Sequence, residues 1–62
     1  MNILKVTNQK GKIVLINKDN ITAIYECAKD KNTSFIEVIG IDNYIIVNKP
    51  ITFFEDVFIN NF

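Results

Sequence analysis

Short runs rich in Ile and Val, each closed by a cluster of Asn, Lys, Asp or Gly, fill the first 48 residues of this 62-residue chain. Runs of β-branched residues bounded by turn residues are typical of strands. Because the loops between them are short, consecutive strands should pair antiparallel as a meander, either open or curled into a barrel-like sheet. The five predicted strands cover about residues 2 to 7, 12 to 17, 22 to 28, 34 to 40 and 44 to 48.

After the fifth run the apolar period changes from two to nearly four. The recurring residues are Ile51, Phe54, Phe58 and Phe62. Spacings of three, four and four place them on one stripe of an amphipathic helix. Pro50 suits a first helical turn, whereas Thr52 with Glu55 three residues later is a competing start by a capping box. The sequence therefore predicts a mainly β (α+β) fold with one C-terminal helix over about residues 50 to 60.

The second strand is apolar on both faces, over residues 13 to 16. A sheet-plus-helix domain this small covers one face of its sheet, so the other face meets solvent or another chain. We assign Leu15 to the core, which leaves Val14 and Ile16 on the open face. The predicted core is Leu4, Val6, Leu15, Ile24, Ile36, Val47, Phe54 and Phe58. In the third strand, Ile21 and Ile24 are three residues apart, which predicts a helical turn or a bulge where that strand begins.

The length allows one domain, residues 1 to 62, with the sheet over residues 2 to 48. A core of this size supplies about 3 to 5 kcal/mol, and small folds are usually reinforced by a disulfide, a metal or a partner chain. Cys27 is the single cysteine and there is no His, so the chain can form neither an internal disulfide nor a four-ligand zinc site. We therefore expect no metal, no cofactor, and reinforcement by association of subunits.

The apolar residues that this fold leaves over predict where subunits meet. Phe53 and Ile59 lie about 100° around the helix from the neighbouring members of the buried stripe, so neither shares it. With Val14 and Ile16 they form the predicted oligomer interface. The sequence thus predicts a non-enzymatic, homo-oligomeric interaction or scaffold module whose partner is a copy of itself.

Composition argues against catalysis and against membrane insertion. Without His there is no default general base near neutral pH, and the carboxylates form no recognisable pair. Cys27 has only lysines to activate it, so we interpret it as a small strand residue. No apolar stretch approaches the roughly 20 residues that span a bilayer, and the N-terminus has no secretory pattern. A single free thiol predicts a reducing cytoplasm.

Two binding functions compete with self-association. Lysines in two turns, Lys10, Lys12, Lys29 and Lys31, are candidates to hold a small anionic ligand or nucleotide at a subunit interface, with help from backbone amides. The aromatic residues Tyr25, Phe35 and Tyr44 are candidates for a surface that stacks single-stranded nucleic acid. The formal net charge is zero, which disfavours nucleic acid as a partner.

The order of residues along nearly the whole chain resembles that of the FlbD-like small proteins, which are found in flagellar operons. The matching positions are Gly11 and Lys12, and residues 14 to 17, 21 to 26, 33 to 38 and 45 to 47. The resemblance implies a sheet followed by a terminal helix and supplies no catalytic residue. The chain departs from the family at residues 50 to 54, where a Ser-capped helix is usual, so the flagellar role is not carried over.

Overall fold

A computed structural model describes residues 2–58 and contains, within them, five strands, one 3-10 turn and one helix. In chain order these are β1 (Ile3–Thr7), β2 (Ile13–Asn17), the 3-10 turn (Lys18–Asn20), β3 (Ile21–Glu26), β4 (Ser34–Val38), β5 (Ile45–Val47) and α1 (Ile51–Phe58). The prediction of a mainly β fold with a C-terminal helix is confirmed. The last two residues of the predicted helix, 59 and 60, lie outside the described residues.

The five strands form two antiparallel sheets instead of one continuous meander. β1 pairs with β2, and β3, β4 and β5 form a second sheet in that order. β2 does not pair with β3, because the 3-10 turn redirects the chain between them; Asn17 caps this turn by accepting a hydrogen bond from the Asp19 amide at 3.0 Å. A register shift between Ile21 and Ala23 gives β3 the irregular start that the sequence predicts. Within residues 2–58 the strands do not close into a barrel.

The two sheets are joined at one end of the hairpin formed by β1 and β2. Asn8, which follows β1, forms an antiparallel bridge with Val47, and the Gln9 amide donates to the Ile46 carbonyl at 2.8 Å. After Asn8 the chain reverses its direction in a turn and continues as β2. Gly11 has a φ of +83° in this turn, a conformation that side-chain-bearing residues rarely adopt. The hairpin is therefore attached to the second sheet through the segment that also reverses its own chain.

The core lies between the two sheets and α1. Its buried apolar residues are Leu4, Val6, Ile16, Ile36, Val38, Val47 and Phe54. Ile24 and Phe58, which were also predicted, are half-buried and pack against this cluster. Ser34 is buried too, and its hydroxyl donates to the Lys49 carbonyl at 2.8 Å, which ties β4 to the segment before the helix.

The prediction that Leu15 lies in the core, with Val14 and Ile16 on the open face of β2, was wrong. Leu15 is 67% exposed, while Ile16 is 4% exposed and belongs to the core. The cause is the register of the hairpin, in which Leu4 lies opposite Ile16 and Val6 opposite Val14. Opposed residues of an antiparallel pair share a face, so the residues buried on β1 fix which residues are buried on β2.

Helix α1 begins at Ile51 and places Phe54 in the core, where it is 2% exposed. Pro50 immediately precedes the helix, and its carbonyl accepts from the Phe53 amide at 3.0 Å. Thr52 is the second helical residue, so the helix does not start with Thr52 as its cap. Phe53 is 39% exposed, and its ring stands edge-on to that of Phe54 at 5.1 Å.

We expect Phe54→Ala to lower the free energy of unfolding by about 3 to 5 kcal/mol, because it removes a buried ring and leaves a cavity. The matched control is Phe53→Ala on the same helix, which should cost about 1 kcal/mol through loss of the ring pair. Because this cost is as large as the stability expected of so small a core, Phe54→Ala should show little or no cooperative transition in urea, whereas Phe53→Ala should keep one. Circular dichroism at one fixed protein concentration measures both. Equal destabilisation by the two substitutions would contradict the assignment of Phe54 to the core.

Candidate interaction surface

Three apolar side chains lie together on the outer face of the hairpin, and we call them the hairpin patch: Ile3, Ile13 and Leu15. Ile13 is 63% exposed and Leu15 is 67% exposed, the highest exposures among the large apolar residues along with Ile39. Ile13 and Leu15 are two residues apart on β2, which places them on one face, and Ile3 is a diagonal neighbour of Leu15 across the strand pair. The patch therefore occupies the outer face of a two-stranded sheet, beside Lys5, which lies opposite Leu15.

The backbone of β2 leaves one edge of this sheet unpaired. The Asn8 amide donates to the Lys12 carbonyl, and the Lys18 amide donates to the Asn2 carbonyl, both at 2.8 Å. Because hydrogen-bonding residues alternate along an antiparallel strand, Val14 and Ile16 between these two bonds point their amides and carbonyls towards β1. The amides and carbonyls of Ile13, Leu15 and Asn17 point the other way. Within residues 2–58 the amides of all three residues and the carbonyls of Ile13 and Leu15 have no backbone partner, whereas the Asn17 carbonyl accepts the first hydrogen bond of the 3-10 turn that Asn17 caps. We call this row the β2 edge.

The residues predicted for an oligomer interface are not brought together on one surface. Ile16 is in the core, and Val14 is half-buried and packs against it, so the open face of β2 belongs to Ile13 and Leu15 instead. Phe53 is partly covered by Phe54 and by Lys49, whose Nζ is 5.5 Å from the centroid of the Phe53 ring. Ile59 lies outside the described residues.

The four candidate lysines occupy two turns, one attached to each side of β5. The turn with Lys10 and Lys12 lies beside the start of β5, where Lys10 borders a shallow groove with Tyr44 and Ile46. The turn with Lys29 and Lys31 precedes β4, whose first residue pairs with the last residue of β5. One subunit therefore does not combine the two pairs in a single site.

The turn before β2 uses its own backbone amides internally. The side-chain oxygen of Asn8 accepts from the amides of Lys10 and Lys12, at 3.0 and 2.9 Å, and the Asn8 carbonyl accepts from Gly11 at 2.9 Å. An anion at this turn would have to displace these bonds to reach the amides. The turn therefore offers lysine ammonium groups without the backbone donors that an anion site needs.

The turn between β3 and β4 is organised by a carboxylate that lies between its two lysines. Asp30 accepts from the Asn32 amide and from the Thr33 hydroxyl, each at 2.9 Å, and its carbonyl accepts from the Thr33 amide at 3.0 Å. The hydrogen bond from the Asn32 amide, followed by that from Thr33, lowers the pKa of Asp30 below its ordinary value of 3.8. A negative charge is thus fixed between Lys29 and Lys31, which disfavours an anion there.

We expect Thr33→Val to raise the pKa of Asp30 towards its ordinary value, because one of the two hydrogen bonds to the carboxylate is lost. Since the folded-state pKa is lowered, the stabilising contribution of Asp30 is present above its unfolded-state pKa. It is lost as the pH falls through the folded-state pKa. An NMR titration of the side-chain carboxyl carbon measures this. Thr22→Val is the control, because its hydroxyl bonds Glu37 instead, and it should leave the midpoint of Asp30 unchanged.

The outer face of the second sheet carries a stacked aromatic cluster. Tyr44 stacks on Phe35, with ring centroids 5.7 Å apart, and meets Tyr25 edge-on at 5.8 Å. Both tyrosines are about half exposed. Glu37 lies on the same face as Phe35, two residues along β4, and accepts from the Thr22 hydroxyl at 2.7 Å. The rings are therefore packed on one another beside an acidic residue, which disfavours the phosphate backbone of a nucleic acid.

A groove of about 420 Å³ separates β3 from α1. Its walls are mostly apolar, and Ile21, Ile24, Ile51 and Phe58 line it together with Lys18 and Glu55. The Nζ of Lys18 is 5.7 Å from the centroid of the Phe58 ring, so its charge already rests against that ring. The groove does not match the anionic ligand that the lysines suggested.

The structure brings together no set of residues suited to metal binding in the part of the chain that it describes. No three His, Cys, Asp or Glu side chains cluster there. Strand β3 ends at Glu26, two residues before its predicted end. Cys27 therefore lies just after the strand and not within it, and it is half-buried. In the part of the chain that the structure describes, no helix has the length and apolar character needed to cross a membrane.

Comparisons with protein-family models, with curated proteins and with solved structures found no match for this chain. The resemblance to FlbD-like proteins stays a prediction.

The β2 edge is the feature that sequence reasoning missed. The part of the sequence from which this edge could have been predicted is the turn between Asn8 and Lys12. Once these two residues are taken as the hydrogen-bonded pair that closes the hairpin, every even-numbered residue of β2 faces β1 with its backbone and the core with its side chain. The odd-numbered residues then point their side chains away from the core and their backbone groups towards the free edge.

Proposed function

We propose that this protein is a non-enzymatic interaction module that associates with copies of itself through the hairpin patch. The observation that carries the proposal is the pair Ile13 and Leu15, each about two-thirds exposed on a strand whose edge is unpaired within residues 2–58. Exposed apolar side chains on an edge strand form a template for association unless charge, proline or a covering element blocks it. β2 contains no charged residue and no proline.

Energetics favour association over an isolated subunit. Within residues 2–58 the core contains seven buried apolar residues, which is small for a domain whose single cysteine allows no internal disulfide. Burying exposed apolar surface contributes about 25 cal/mol per Å² removed from water. Contact between two hairpin patches would therefore add to the stability of both subunits by removing exposed side chains such as Ile13 and Leu15 from water.

The competing proposal of an anionic ligand has less support. The amides of Lys10 and Lys12 are bonded within their own turn, and Asp30, whose carboxylate accepts from the Asn32 amide, lies between the other two candidate lysines. The largest groove described above is apolar. The hairpin patch needs no ligand, because contact with a second apolar surface would remove its exposed side chains from water.

The proposal includes a cytoplasmic location. Its support is that Cys27 has no second cysteine in the chain to pair with, which suits a reducing compartment.

We expect the double substitution Ile13→Ser with Leu15→Ser to shift the protein from an oligomer to a monomer while keeping its β-type circular dichroism, because both side chains point away from the core. The measurement is sedimentation velocity over a roughly hundredfold range of micromolar concentrations. The matched control is Ile39→Ser with Ile41→Ser, which removes two similarly exposed residues from the loop between β4 and β5 and should leave the oligomer intact. A wild-type protein that stays monomeric over the whole range would overturn the proposal.

A further inference from the structure

We infer that a second copy of the chain adds its β2 strand antiparallel to the β2 edge, so that two hairpins form one continuous four-stranded sheet. This rests on the proposed self-association and names the contact that produces it. The starting observation is that the outward side chains and the unpaired backbone groups belong to the same residues, Ile13, Leu15 and Asn17. A partner strand that lies alongside the edge bonds these backbone groups and contacts the side chains of the same residues from the side, because paired residues share a face.

The β2 edge is complementary to itself. Ile13 and Leu15 each present one amide donor and one free carbonyl acceptor, and Asn17 adds an amide donor and the second lone pair of a carbonyl that already accepts within the 3-10 turn. When an identical edge approaches in the opposite direction, every donor meets an acceptor, and the contact is related by a two-fold axis. No other sequence is required, so the second copy is the simplest occupant of this edge.

The register between the two β2 strands depends on which residues have an extended backbone. A pairing centred on Leu15 places Leu15 opposite Leu15 of the second copy and Ile13 opposite Asn17, so all three outward-facing residues form hydrogen bonds. A shift by two residues towards the turn would place Asn17 opposite Gly11, whose φ of +83° turns the chain away from an extended path. The centred register therefore satisfies more of the backbone than the shifted one.

The centred register also extends the packing on both faces of the sheet. On the outer face the two hairpin patches become continuous at Leu15. On the inner face Val14 lies opposite Ile16 of the second copy, which continues the apolar layer of the core. Lys12 lies opposite Lys18 of the second copy at each end, but the Nζ of Lys18 rests against the Phe58 ring and salt screens the remaining repulsion.

Amide hydrogen exchange of the wild-type protein tests the edge directly. We expect the amides of Ile13, Leu15 and Asn17 to exchange rapidly in dilute protein and to slow roughly tenfold when about nine-tenths of the protein is associated. The amides of Val14 and Ile16 donate to β1 in every state and serve as the internal control. If the protein associates while the three edge amides stay fast, edge pairing is rejected and the hairpin patch remains as the contact. A protein that does not associate rejects both proposals.

Disulfide trapping tests the register. In a Cys27→Ser background, Leu15→Cys should form a disulfide-linked dimer, because Cα atoms of a hydrogen-bonded antiparallel pair are about 5.5 Å apart, within disulfide range. Lys5→Cys is the matched control, since Lys5 lies beside Leu15 on the same outer face. Three strand spacings would separate the two copies of this residue by roughly 14 Å, so it should not cross-link. Equal cross-linking of both variants would show patches stacked face to face and would overturn the paired edge.

Discussion

The turn at Asn8 determines the arrangement of the rest of the molecule. Its side-chain oxygen binds the amides of Lys10 and Lys12, its own amide binds the Lys12 carbonyl, and its backbone bridges Val47 in the second sheet. The first set of bonds fixes the length of the turn and hence the register of the hairpin. The bridge then fixes where the hairpin meets β5. Core composition, the open face of β2 and its free edge all follow from these bonds, because strand register assigns every side chain to one of two faces.

Much of the fold could be predicted from the sequence because each element carries a local signal. β-branched runs ended by turn residues located the five strands to within two residues, and the period of nearly four located α1, for which Phe54 is the buried anchor. The break between β2 and β3 was not predicted. A cluster of four polar residues is compatible with a tight hairpin as well as with the 3-10 turn that forms there, and the choice depends on packing between sheets.

The faces of β2 could not be predicted from β2 itself. Residues 13 to 16 are Ile, Val, Leu and Ile, so alternation gives no preference for either face. The information lies in β1, where the polar residues Lys5 and Thr7 alternate with Leu4 and Val6 and mark one face as buried. The candidate lysines illustrate a related limit. Sequence placed them in turns correctly, but the use of the turn amides by Asn8 and Asp30 depends on side-chain geometry that spacing does not encode.

The narrow connection between the two sheets has a consequence for how the molecule loosens. Beyond the bridge at Asn8 and the bond from Gln9 to Ile46, the hairpin is held to the second sheet mainly by side-chain packing. Elements joined in this way tend to open as cooperative units before the rest of a domain unfolds. Under the proposed assembly, the contact between copies would be made by the unit that is least tied to its own subunit. Association would then stabilise the closed state of the hairpin against the second sheet. The opening of the hairpin would therefore become less frequent as the protein concentration rises.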